Sequence, residues 1–150
     1  MPYVSLRDLE RTLVGALVVL CLSTAAAADD RPARTPAPAG ARVYFISPAP
    51  GETLKSPFTV RFGLSGMGVA PAGVQAANTG HHHILIDTPV PPLDQPIPAD
   101  RHHVHYGGGF TETRLDLPPG THTIQLLMGD DRHVPHDPPL LSEPLTITVQ

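Results

Sequence analysis

The stretch PFTVRFGL, Pro57 to Leu64, decides the fold. Phe58, Val60 and Phe62 alternate with Thr59, Arg61 and Gly63. A period of two collects the three large apolar side chains on one face of a pleated strand, whereas a helix would scatter them around its axis. Working outward, RVYFI lies upstream at residues 42–46, and HHHILID, TETRLDL, THTIQLLMG and LTITVQ follow at residues 81–87, 111–117, 121–129 and 145–150. In TETRLDL, Leu115 and Leu117 oppose Arg114 and Asp116, and in LTITVQ, Leu145, Ile147 and Val149 oppose Thr146 and Thr148. No segment of this part shows helical spacing. Short strands broken by Pro/Gly turns such as LPPG, within about 110 residues, predict an all-β domain, a single immunoglobulin-like antiparallel β-sandwich. A small open barrel is the alternative.

The N-terminal residues belong to a different class. Arg7 and Arg11 precede an apolar run from Leu13 to Leu22, too short to span a bilayer, and Thr24 to Ala28 supplies a small-residue cleavage site. Residues 1–28 therefore read as a secretory signal peptide cleaved near Ala28, which predicts a periplasmic or secreted protein. Leu20 stands where a lipobox needs a small residue before Cys21, so a lipid anchor is not expected. Residues 29–41, DDRPARTPAPAGA, lack periodic apolar positions and read as a flexible Pro/Ala-rich tether to the domain at 42–150. The single cysteine lies inside the signal segment, so the mature domain is expected to have neither a disulfide nor a thiolate ligand. A net charge of −4 without a basic patch argues against nucleic acid or anionic lipid as partners, and the mature chain has no second apolar segment to span a membrane.

The unusual feature is histidine. All nine fall between His81 and His136. If successive strands run antiparallel, the start of GHHHILID, the HHVHYGGG segment and the GDDRHVPHDPP segment all reach the same end of the sandwich, and only His122 stays away. Along a strand His81 and His83 share one face and His82 takes the other; His103 and His105 stand in the same relation if that piece is extended. The H-V-P-H sequence holds His133 and His136 on a proline-stiffened loop. Imidazole is a common neutral metal ligand, and a site needs three or four donors from separate segments. The candidate ligands are His81, His83, His103, His105, His133 and His136. Met67, in the Gly66-Met67-Gly68 turn, joins them as a soft donor. A thioether beside imidazoles favours Cu(I), and imidazoles with a carboxylate such as Asp87 or Asp130 suit zinc or Cu(II).

Nothing points to catalysis with comparable weight. Ser65 and Ser142 lack a G-x-S-x-G setting, there is no H-E-x-x-H, and Gly107 to Gly109 lack the helix and lysine of a phosphate-binding loop. No catalytic or organic-cofactor residue is assigned.

These segments resemble an exported bacterial family catalogued as a domain of unknown function, serial number four-three-nine-nine. The resemblance spans about Val43 to Val149 and rests on VYFISPAPGETLKSPFTVRFGLSGMGVAPAG, TGHHHILID, PLDQPIPAD, HVHYGGGFTET, LPPGTHTIQLLMGD and HVPHDPP. Phe110 departs from the family pattern, where glutamine is usual. The resemblance implies an exported domain and brings no established activity. The sequence thus predicts a histidine-rich sandwich that binds a transition metal, copper before zinc, at one end, for sequestration or delivery. The competing expectation is an immunoglobulin-like module that binds another envelope protein, its histidines structural or pH-sensing.

Overall fold

Phe58, Val60 and Phe62 turn to one side and are buried, while Thr59 and Arg61 are exposed. In the computed structural model, which describes residues 33–150, every regular element is a strand. They are β1 (Arg42–Ser47), β2 (Thr53–Leu54), β3 (Phe58–Ser65), β4 (Gly68–Val69), β5 (Thr79–Ile86), β6 (His103–Tyr106), β7 (Glu112–Leu115), β8 (Gly120–Gly129) and β9 (Leu145–Val149). The expected signal peptide lies outside the described residues. Among those residues no helix is long and apolar enough to cross a membrane.

The strands form two sheets. One is three-stranded, in the order β1-β3-β7; the other runs β2-β9-β8-β5-β4, with β6 also paired to β5. Val43, Phe58, Val60, Phe62 and Leu115 of the first sheet meet Ile84, Ile86, Ile124, Leu126, Met128, Ile147 and Val149 of the second in one core. This is the all-β sandwich that the alternation predicts. Each such side chain, removed from water, stabilises the fold by roughly 1.5–3 kcal/mol.

One strand departs from simple alternation. β5 is buried along nearly its whole length, on both faces. Ile84 and Ile86 enter the inter-sheet core, whereas Leu85 faces outward into a second, smaller cluster with Ile97 and Leu127, against which Leu141 packs. The cover comes from two connections. The proline-rich segment after β5 crosses the outer face, where Ile97 donates its N–H to the His133 carbonyl at 2.8 Å. The 130–141 segment returns beside β8 through bridges at Gly129–Pro135 and Leu127–Leu141. A strand covered on both sides reads as a continuous apolar run, and HHHILI is such a run once the histidines are counted as neutral rings.

Residues 34–37, expected within a flexible tether, lie against the 130–137 loop instead. The Arg34 side chain donates to the Pro135 and His136 carbonyls, Thr35 Oγ1 donates to Asp130 at 2.7 Å, and the Ala37 N–H donates to the Asp137 carbonyl at 2.8 Å. Proline and alanine carry no periodicity that announces this contact; its donors are a lone arginine, a threonine and the backbone.

Candidate metal centre

The outer face of β5 carries His81, His83 and Leu85. The register of the sheet then brings in the neighbours. His83 sits opposite His105 on β6, and His81 sits opposite Gly129 on β8. Having no side chain, Gly129 leaves the space the rings fill: a Cβ there would lie 3.0 Å from His83 Nε2 and 3.3 Å from His133 Cα. Gly107 serves His105 in the same way, since a Cβ on it would fall on the His105 ring.

His133 arrives from the loop after β8, and Asp130 builds that loop. The buried Asp130 carboxylate accepts hydrogen bonds from the N–H groups of Arg132 (2.9 Å) and Val134 (3.0 Å), from Thr35 Oγ1 and from the Arg132 guanidinium. Burial works to raise the Asp130 pKa, but these donors outweigh it and hold the carboxyl below its ordinary value. Inside this turn His133 adopts φ of 68°, a left-handed conformation uncommon outside glycine, which turns its ring over β5.

Four imidazoles from three segments thus meet. The His81 ring centroid is 4.9 Å from each of those of His83, His105 and His133, and the His105 and His133 centroids are 4.6 Å apart. Two contacts join ring nitrogens directly: His81 Nε2 to His83 Nε2 at 3.0 Å and His105 Nε2 to His133 Nε2 at 3.1 Å. In each pair one ring donates its N–H and the other accepts. Ligating atoms of His81, His105 and His133 all lie within 4.8 Å of one another. A tetrahedral ion with metal–nitrogen bonds of about 2.0–2.1 Å places its ligands about 3.3–3.4 Å apart, so small side-chain movements suffice to close the set on an ion.

The rings on the floor are neutral. His81 and His83 are fully buried, and their Nδ1 atoms have no hydrogen-bond partner. Burial, then the positive charge that neighbouring imidazoles would carry, lowers His81 to about 4 and His83 to about 2; His105 is lowered by the same causes. At neutral pH these rings present lone pairs rather than charges, the form in which imidazole binds metals. His105 is exposed and His133 partly so, and these two form the mouth.

The other candidates lie elsewhere. His103 is one alternation further along β6, opposite Leu85, and bonds the Asp100 carboxylate at 2.9 Å. That carboxylate engages its Nδ1, and its ring makes none of the contacts that join the other four. His136 is buried, with Nε2 donating to the Thr79 carbonyl at 3.1 Å. Met67 packs against the inter-sheet core. The convergence of eight histidines therefore reduces to four. His102 bonds the Ile86 carbonyl at the far end of β5, and His122, on the outgoing strand, pairs with Asp87 at 2.6 Å and the Pro118 carbonyl at 2.9 Å. The cluster lies at the Gly129 end of the large sheet, on its outer face under two loops. By sequence Asp130 is only a possible ligand, whereas its structural part is to shape the loop; an aspartate that accepts from the N–H two residues on, as from Arg132 here, is a turn signature.

Fold and site together define an all-β sandwich domain with a cluster of four imidazoles on one sheet, two of them fully buried. The chain belongs to the family described as "Domain of unknown function (DUF4399)", which matches residues 60–150. No curated protein and no solved structure matches it.

Proposed function

We propose that the protein is an exported metal-binding domain that takes one transition-metal ion at His81, His105 and His133, with His83 as the fourth imidazole. The observation that carries this reading is the set of four ring nitrogens, drawn from β5, β6 and the 130–136 loop, that pair with one another rather than with carboxylates or carbonyls. Imidazole nitrogens gathered this closely from separate segments, with no carboxylate or carbonyl between them, are a donor set that a bound ion fits. Uncharged nitrogen donors follow the usual affinity order of divalent metals, which puts Cu(II) ahead of Zn(II). The exposed His105 at the mouth lets an ion exchange with solvent or a partner, which suits sequestration or delivery better than a closed structural site.

Calorimetric titration of the purified protein with Cu(II) and Zn(II) tests this. Saturable one-to-one binding tighter than about micromolar is expected, with copper the tighter. The His81→Ala/His105→Ala/His133→Ala protein should lose it. Weak, multi-site binding that survives the substitutions would sink the reading.

A further inference from the structure

The middle histidine of the triplet points the other way. His82 lies on the inner face of β5, fully buried, its ring centroid 4.6 Å from that of Phe62. The Phe110 backbone approaches the ring, yet neither ring nitrogen makes a well-formed hydrogen bond. A leucine in this place would pack without leaving polar atoms unsatisfied, so the imidazole costs stability for no structural return.

Two further donors stand beside it. The cross-strand partner of His82 is Met128, also fully buried and in the same core. Paired residues of this kind have Cβ atoms about 4.5–5.5 Å apart. By alternation Gly80 shares the face of His82, and its missing side chain leaves room for both neighbours. A Cβ there would lie 2.8 Å from His136 Cε1 and 3.4 Å from the Met128 methyl. The His136 Nε2–H is committed to the Thr79 carbonyl, which leaves its buried Nδ1, the ring's other nitrogen, without a partner.

The geometry points to a second metal site, back to back with the first: His82, Met128 and His136 form a soft, uncharged donor set for monovalent copper on the inner face of β5. Thioether and imidazole ligands without a counter-charge suit a monovalent ion, because burying a dication in a hydrocarbon core costs far more desolvation. Met67 supplies a route in. It is a partly exposed thioether packed on the same core, and β4, which follows it directly, pairs with Thr79 and Gly80. The HHH triplet thereby serves two faces, two rings outward and one inward.

The test uses the purified protein carrying His105→Ala and His133→Ala, which opens the outer cluster and leaves the inner face untouched. Cu(I), delivered anaerobically from a chromogenic chelator under ascorbate, is expected to bind one equivalent with a copper–sulfur path in X-ray absorption. Adding Met128→Leu, a volume-conserving change, should abolish that path and weaken Cu(I) by about tenfold or more. In the otherwise unaltered protein, Met128→Leu should leave Cu(II) and Zn(II) titrations unchanged. A second measurement does not depend on how that variant folds: Ag(I), a redox-inert stand-in, should shift the Met128 ε-methyl NMR signal of the unsubstituted protein, assigned by comparison with Met67→Leu. Absence of Cu(I) binding, nitrogen-only ligation, unchanged Cu(I) affinity in Met128→Leu or a Met128 methyl unmoved by silver overturns the proposal. Divalent-metal binding by the outer-site variant bears on the outer cluster alone, so the two readings fail separately.

Discussion

Acidification should unfold the metal-free protein through its buried histidines. His81 and His82 are held down to about 4 and His83 to about 2, burial being the largest cause in each case. In the unfolded chain the same rings titrate near 6.5. Between those values the unfolded state binds protons that the folded state refuses, so stability is full above about pH 6.5 and declines as pH falls toward 4. At pH 5 the folded rings are still neutral while the unfolded ones are almost all charged. The loss relative to pH 8 is then about 2 kcal/mol per ring and about 6 kcal/mol for the three. That is a large share of the roughly 5–15 kcal/mol that stabilises a typical domain. His105, also lowered, acts in the same direction. Asp87 and Asp130, held below their ordinary values, contribute only near and below pH 4, outside this window. Urea unfolding at pH 8, 6 and 5, with chelator present and the slope m held common, measures the effect. His82→Leu should remove about a third of the pH dependence while raising stability at pH 5. A midpoint that stays level from pH 8 to pH 5 would refute the burial of neutral rings on which the site depends.

Asp130→Asn should weaken divalent-metal binding by about tenfold and cost about 1–3 kcal/mol in a thermal melt, because one carboxylate organises the loop that carries His133. Gly129→Ala should lower stability by about 1–3 kcal/mol, since the new methyl meets the His133 backbone, which cannot swing aside, as well as the His83 ring. Titration of that variant should show weaker copper binding than the parent. His122→Ala should leave metal binding untouched and act on stability with the opposite pH sense. Its hydrogen bond to Asp87 raises the His122 pKa, so the stabilisation is complete below about pH 6.5 and lost as pH rises through the raised value. The gap between variant and parent in urea melts should therefore be wider at pH 6 than at pH 9.

The strands that alternate cleanly were legible without coordinates. Phe58-Val60-Phe62 and Leu145-Ile147-Val149 each have one polar and one apolar face, and the core took the apolar one in both. The two-residue strands β2 and β4 were not, because two residues carry no period. Nor was the docking of residues 34–37, which rests on backbone bonds and two side chains. Within the site, the opposite directions of His81 and His83 against His82 followed from the pleat alone.

Which rings would meet was another matter. His103 and His105 are equivalent by sequence, both outward-facing on the same short strand. Register alone separates them, setting His105 opposite His83 and His103 opposite Leu85. His133 and His136 are equally matched on their loop, and a positive φ under Asp130 sends one to the outer cluster while the Thr79 carbonyl holds the other at the inner end of β5. Periodicity is a local property of the chain, so composition and alternation determined the fold class, the faces and the wealth of imidazole. The meeting of four nitrogens within a few ångströms depends on strand register and on loops folding over a sheet. Those are long-range contacts that no window of sequence contains, and only the tertiary structure decided them.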